Sequence, residues 1–240
     1  MIAQPVNGAS YLFRGLKMAL QPKIRRFVFI PLMINVLLFS VGIWYSFSLF
    51  GELIDGMLTY LPDWLGWLSW LLWPIYAVTV FVLVFYLFSL IANVIAAPFN
   101  GILSEAVQQQ LTGEKSAAAL DMKEMLKQAV PMILEELKKL LYFIGWAIPF
   151  LLLLFVPLIG PLLWALFSAW MMTIEYTDYS ASNNRVTFKQ LRLQVRQRKM
   201  MSLGFGGMVM LGNLIPLVNF LVMPVAVCGG TIMWLEKFKE

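Results

Sequence analysis

Between Trp64 and Ser104 the chain runs for 41 residues without one charged side chain. Three further uncharged stretches cover 27–50, 140–174 and 200–235. Soluble domains are about one-quarter charged and 45–50% apolar; here 13% of residues are charged and 60% hydrophobic. So much apolar chain needs a solvent other than water, and lipid supplies it. An all-α integral membrane protein follows, and 240 residues suit a single membrane domain over 1–240.

The four runs are not alike. Residues 27–50 make roughly 36 Å of helix, enough to span a bilayer with some tilt. Residues 64–104 exceed one crossing and read as a long spanning helix. It starts in an interfacial belt of Trp64, Trp67, Trp70 and Trp73, which share a face. Residues 140–174 contain Pro149, Pro157, Gly160 and Pro161, and 200–235 contain Pro216 and Pro224. As hairpins, each limb would reach only about 25 Å, short of a hydrocarbon core of about 30 Å. Two helical hairpins that penetrate partway and return on the same side are therefore expected, with their turns at the prolines. Such turns must be buried in protein or line a wet cavity. Val156-Pro157-Leu158-Ile159 is echoed by Ile215-Pro216-Leu217-Val218, the kind of internal repeat that transporters use. Between these regions lies a charged amphipathic helical segment, 105–139. Asp121 with Glu124 fits a capping box, Glu135 with Lys139 an i,i+4 pair, and Pro131 a bend. Met122, Met125, Leu126, Ala129, Ile133, Leu137 and Leu140 follow helical spacing, so that face is buried or rests on lipid.

Charge sets the orientation. The basic amphipathic N-terminus, 1–26, carries Arg14, Lys17, Lys23, Arg25 and Arg26 and no acid. Residues 51–63 carry Glu52, Asp55 and Asp63 and no base, while 175–199 hold six bases against Glu175 and Asp178. Lys/Arg excess marks the cytoplasmic side, which places both termini and the charged segments inside. Residues 1–26 lack the pattern of a cleavable signal, so the first run reads as a permanent anchor. There is no His, and Cys228 is the single Cys. Imidazole or thiolate metal sites, disulfides, Cys–His or Ser–His catalysis and dithiol redox chemistry are therefore excluded within one chain. No cofactor or metal is expected. No catalytic constellation supports an enzyme, a lipid-modifying one included. The net charge of +5 comes with no nucleic-acid motif.

The sharpest candidate site is Pro22-Lys23-Ile24-Arg25-Arg26. Pro22 suits the first helical position, which would put three cations beside the free N–H groups and positive dipole end of the first span. That crowding is unfavourable unless an anion or an acidic side chain compensates, and two Arg forks at a helix N-terminus make an oxyanion receptor. The same residues also suit a positive-inside anchor reaching lipid headgroups. Asn35, Asn93, Asn100 and the adjoining Glu105 fall in or beside apolar helices, where polar groups either line a pathway or tie helices together. The basic run of Arg192, Arg196, Arg198 and Lys199 reads as a solvated or headgroup-facing stretch. Gly204, Gly206, Gly207 and Gly212 permit close helix contact, at a spacing that specifies nothing further.

Four blocks carry a resemblance. GASYLFRGLKMALQPKIRRFVFIPLMIN (8–35), AAPFNGILSE (96–105), IEYTDYSASNNRVTFKQLRLQVRQRKMMSLGFG (174–206) and IPLVNFLVMPVAVCGG (215–230) resemble the bacterial CysZ sulfate permease family, in order and over nearly the whole chain. The resemblance implies a multi-pass inner-membrane sulfate uptake protein serving cysteine synthesis, with two spanning helices, partly penetrating hairpins and a homo-oligomeric assembly. Sulfate and membrane lipid are the partners it implies, and nucleic acid is not among them. The family's anion-binding Arg pair falls on Arg25 and Arg26, and Gly8, Tyr11 and Gly15 match its N-terminal pattern and are expected to shape the same pocket. The chain departs from that pattern at Ser180, where the family often has Pro, and at Asn184, where it often has His. Both positions are expected in a cytoplasmic connector, where they alter loop geometry; if that His handles protons, coupling differs here. One tension follows: charge puts the Arg pair on the cytoplasmic face, whereas uptake begins outside. A dual-topology oligomer, or a site for exit or sensing, would resolve it. A membrane scaffold or accessory subunit without transport of its own is the competing reading.

Overall fold

A computed structural model describes residues 3–58, 99–114 and 122–239, with isolated positions between 70 and 82. The described residues are helical and contain no strand. Among them, no helix is both long and apolar enough to cross a membrane. Helix α1 covers Ala3–Ala19, α2 Arg25–Leu58, α3 residues 99–112, α4 Met122–Leu153, α5 Ile159–Asn183, α6 Phe188–Gln197, α7 Lys199–Asn213 and α8 Pro216–Lys237. The chain divides into two compact units, Met1–Val28 with Asn100–Glu240, and Phe29–Phe99. Most of the expected helix over 64–104, with Trp64, Trp67, Trp73 and Asn93, lies outside the described residues. So do Asp121 of the expected capping box and the side chains of Asn35, Glu124 and the apolar residues of 122–133.

In the second unit, α2 runs through Pro31 and exposes a broad apolar face, with Met33, Leu37, Val41, Trp44 and Tyr45 all exposed. Two of its hydroxyls bond back to the helix, Ser40 donating to the Val36 carbonyl at 2.8 Å and Ser46 to that of Gly42 at 2.7 Å. Back-bonding of this kind leaves few polar groups looking outward.

The first unit is built on two hairpins. Of the prolines in 140–174 and 200–235, Pro157 and Pro216 mark the breaks, where α4 gives way to α5 through 154–158 and α7 to α8 through Leu214 and Ile215, whereas Pro161 and Pro224 lie within α5 and α8. The echoed tetrapeptides both fall at these turns, with Pro216 opening α8. In the first hairpin Leu158 takes a left-handed conformation, φ 67°, and a Cβ on Gly160 would lie 2.1 Å from the Leu153 carbonyl oxygen. Only glycine lets the limbs come that close. The limbs themselves outrun the apolar stretches. Helix α4 begins in the charged segment and continues through Pro131 and Pro149, where a bend and a limb boundary were expected. Helix α5 ends in a polar C-terminal turn.

Helix α1 lies against α7 and α8, and α5 against α4, α6, α7 and α8. One core unites them, from Tyr11, Leu12 and Met18 of α1 through Leu103 and Val107 of α3, Ile174 of α5 and Phe205 of α7 to Met233 and Trp234 of α8. Helix α6 is short and strongly amphipathic. It opens with a capping box between Thr187 and Gln190 and buries Phe188, Leu191 and Val195.

Candidate functional site

The turn joining α1 to α2 carries the two arginines singled out by the sequence. Pro22 does not open the helix as expected. The Gln21 carbonyl accepts from the N–H groups of Ile24 at 2.9 Å and Arg25 at 2.8 Å, which winds 21–24 into turns and delays α2 to Arg25. Ile24 and Val28, four residues apart, are buried, so Arg25 and Arg26 project outward on the exposed side. The Gln110 amide of α3 donates to the Gln21 side chain and holds the turn from the other side. No acid lies in the first turn of α2. Among the described residues neither arginine forms a salt bridge, and Arg26 stacks its guanidinium 4.8 Å from the Phe27 ring centre. The first-turn N–H groups of Arg25 and Phe27 are already engaged by turn carbonyls. The donors this turn presents outward are therefore chiefly the two guanidinium forks.

Gly8, Tyr11 and Gly15 lie on the buried face of α1. A Cβ on Gly8 would sit 2.0 Å from the Met201 carbonyl oxygen of α7, and one on Gly15 2.3 Å from that of Val225 on α8. These glycines are where α1 closes on its neighbours. Tyr11 donates its hydroxyl to Glu236 Oε2 at 3.0 Å, and Arg14 forks onto the same carboxylate, Nη1 to Oε2 at 2.8 Å and Nη2 to Oε1. No hydrogen bond or ion pair among the described residues joins this group to Arg25 or Arg26. The Arg14 fork is the main cause holding the Glu236 carboxyl below its ordinary range, while burial and then Glu236 push the Tyr11 hydroxyl up to about 12. Arg14 and Glu236 are 43% and 40% exposed, so solvent screens the pair, and Glu236→Gln is expected to cost only about 1 kcal/mol. A lowered carboxylate stabilises above its unfolded value and loses that contribution as pH falls through the folded one. Thermal unfolding below about pH 4 should therefore shift in the native protein and not in Glu236→Gln.

Asn100 is buried at the start of α3 and donates to the Tyr179 hydroxyl at 3.3 Å. Glu105 is half-buried and makes no hydrogen bond or ion pair among the described residues. Around Asn100 a polar seam joins α3 to α5. Asn183 donates to the Gly101 carbonyl at 2.8 Å, and Gln108 and Asn184 exchange amide hydrogen bonds at 3.2 and 2.7 Å. On α8, Thr231 meets Ser104 at 2.8 Å. Asn184 caps the end of α5 and Ser180 lies inside it, so Ser180 sits in helix where a connector was expected. The Ser180 hydroxyl is buried without a hydrogen-bond partner among the described residues.

A cluster that the sequence did not reveal lies between α4 and α5. Lys139 was expected to pair with Glu135, four residues back. Instead Glu135 takes Lys138 at 2.6 Å and accepts the Phe188 N–H of α6 at 2.9 Å. Lys139 turns inward, 11% exposed, to Glu136 at 3.0 Å, Glu175 at 3.2 Å and Asp178 at 3.0 Å. Burial opposes the ammonium's charge, but Asp178, Glu175 and Glu136 outweigh it and hold its pKa above the ordinary lysine value. Asp178, itself buried, is pushed up by that burial, with Glu175 and Glu136 adding to the effect against the pull of Lys139. Among the described residues no three His, Cys, Asp or Glu side chains are arranged to hold a metal ion; lysine fills the centre of the acidic group.

Comparison with known protein families matches residues 11–224 to the family described as sulfate transporter CysZ/etoposide-induced protein 2.4. The chain belongs to that family. The part matched to the sulfate transporter CysZ/etoposide-induced protein 2.4 family includes Tyr11, Gly15, the Arg25–Arg26 pair, Asn35, Asn93, Asn100, Glu105 and the Lys139 cluster. Gly8 and Glu236, one at each end, fall outside it. Membership brings a sulfate-transporter type of function and agrees with the resemblance carried by the four sequence blocks.

Proposed function

We propose that the protein carries sulfate across the bacterial inner membrane for cysteine biosynthesis, with Arg25 and Arg26 as its anion-binding pair. The observation that carries the reading is a contrast. Arg14 is forked onto Glu236 and Lys139 is enclosed by carboxylates, whereas Arg25 and Arg26 stand exposed at a helix start without an acid. Sulfate fits such a pair because its oxygens accept two parallel N–H bonds from each guanidinium. Gly8, Tyr11 and Gly15 serve it by fixing α1, and through α1 the turn that presents both arginines. Asn35, Asn93, Asn100 and Glu105 belong to the route. Membrane insertion, with two spans, two partly penetrating hairpins and both termini inside, is supported by the uncharged runs and by the broad exposed apolar face of α2. A homo-oligomer with lipid around it completes the picture.

The test is radiolabelled sulfate uptake into liposomes holding only this protein, beside Arg25→Ala/Arg26→Ala. Hydrogen bonds from charged donors contribute about 1.5–3 kcal/mol each, so flux at limiting sulfate should fall by roughly a hundredfold. Both side chains are exposed, so the variant should elute from gel filtration as the native protein does. Equal flux in both returns the pair to anchoring. No flux from folded protein favours the scaffold or accessory-subunit reading.

A further inference from the structure

Apart from the arginine pair, the molecule carries a second basic feature. From Tyr179 to Leu235, 57 residues hold six Lys or Arg and no Asp or Glu. Three of the six, Lys189, Arg192 and Arg196, lie on one side of α6, spaced three and four residues apart. Lys189 and Arg196 are exposed and Arg192 half-buried, and none forms a salt bridge among the described residues. Leu193 beside them is 48% exposed. The side they occupy turns toward α4, because the Arg192 guanidinium stacks 4.9 Å from the Tyr142 ring centre, and Tyr142 packs edge-on against Phe188.

Helix α4 offers a second chemistry there. Leu134, Leu137, Leu141 and Ile144 recur every three or four residues and are 51%, 48%, 61% and 44% exposed. They form an apolar stripe about a third of the way round α4 from Tyr142. One helix pair thus carries both a basic row and an exposed apolar stripe. A soluble acidic peptide would use only the first, and a neutral lipid only the second. An anionic phospholipid uses both, its phosphate among the cations and its acyl chain along α4.

We propose that the α4–α6 junction is a binding site for an anionic phospholipid, with Lys189, Arg192 and Arg196 on the headgroup. The proposal rests on the membrane reading above and is independent of sulfate. It is tested by native mass spectrometry of the detergent-purified chain with phosphatidylglycerol or phosphatidylcholine. Lys189→Gln/Arg196→Gln is the variant, because it leaves the stacked Arg192 in place and exchanges only exposed side chains. Phosphatidylglycerol should be retained over phosphatidylcholine, and the variant should lose roughly thirtyfold in that preference. Equal retention of the two lipids, or a variant that behaves as the native chain, overturns the site. So does displacement of the lipid by millimolar inorganic phosphate, which would make it a free-anion site. Flotation after reconstitution into phosphatidylethanolamine/phosphatidylglycerol vesicles separates the two readings. A chain that does not float overturns the membrane reading and this proposal together. One that floats but shows no lipid preference overturns this proposal alone.

Discussion

Exchange of Lys139 for methionine is expected to lower the unfolding free energy by about 3–5 kcal/mol. The change would leave Asp178, with a side chain only 16% exposed, facing Glu175 and Glu136 without a cation. Glu136 and Glu175 are 65% and 43% exposed and can turn to water, so most of the loss falls on Asp178. Asp178→Asn is the informative companion. It keeps an oxygen for the Lys139 ammonium and removes one of three clustered negative charges, so its effect should be small. The two also differ with pH. A carboxyl whose folded pKa is raised contributes more stability as pH falls through that value, until the unfolded value of about 3.9 is reached. The native protein should therefore gain stability on mild acidification relative to Asp178→Asn. A lysine whose folded pKa is raised keeps its contribution below the unfolded value of about 10.4 and loses it only above. Thermal unfolding in detergent between pH 5 and 9 tests all three chains. A Lys139→Met protein as stable as the native one would show that the cluster contributes nothing.

A second large effect is expected at the crossing of α5 and α7. A Cβ on Gly206 would lie 1.7 Å from the Ala169 carbonyl oxygen and 2.6 Å from Thr173 Oγ1. The first contact is with backbone, so no side-chain rotation relieves it and the helices must separate. Gly206→Ala should cost about 3 kcal/mol, at the upper end for overpacking. The neighbouring Gly207 supplies the control, since a Cβ there meets nothing within 4 Å. Gly207→Ala should stabilise by up to about 1 kcal/mol through helix propensity alone. Adjacent glycines with opposite signs would locate the close approach; two equal effects would argue against it.

The sequence reading succeeded where a single element carried the information. Prolines are disfavoured in helix interiors, and Pro157 and Pro216 do mark the hairpin turns, although Pro31, Pro131, Pro149 and Pro224 are carried inside helices by their surroundings. It failed where partners lie far apart in the chain. The spacing of Glu135 and Lys139 satisfies a local rule, yet acids of α5, some forty residues on, take the lysine. Tyr11 matched a pocket pattern, and its hydroxyl is held by Glu236 at the opposite end of the sequence. Gly206 and Gly207 are indistinguishable as letters, and only the path of α5 separates them. At the arginine pair the sequence misjudged the backbone. Pro22 is a good helix opener, but the Gln21 carbonyl captures the first N–H groups and moves the start to Arg25.

The lodging of α1 against α7 and α8 has a consequence for biogenesis. Gly8 touches Met201 and Gly15 touches Val225, so α1 leaves the ribosome ahead of partners that lie nearly two hundred residues behind it. At 5–20 residues per second, that delay is about 10–40 s. During that interval the glycine face of α1 has no native mate. A nascent chain stalled before α7 would present that face to targeting factors or to stray helices, so the step most exposed to chaperone control precedes synthesis of the α7–α8 hairpin.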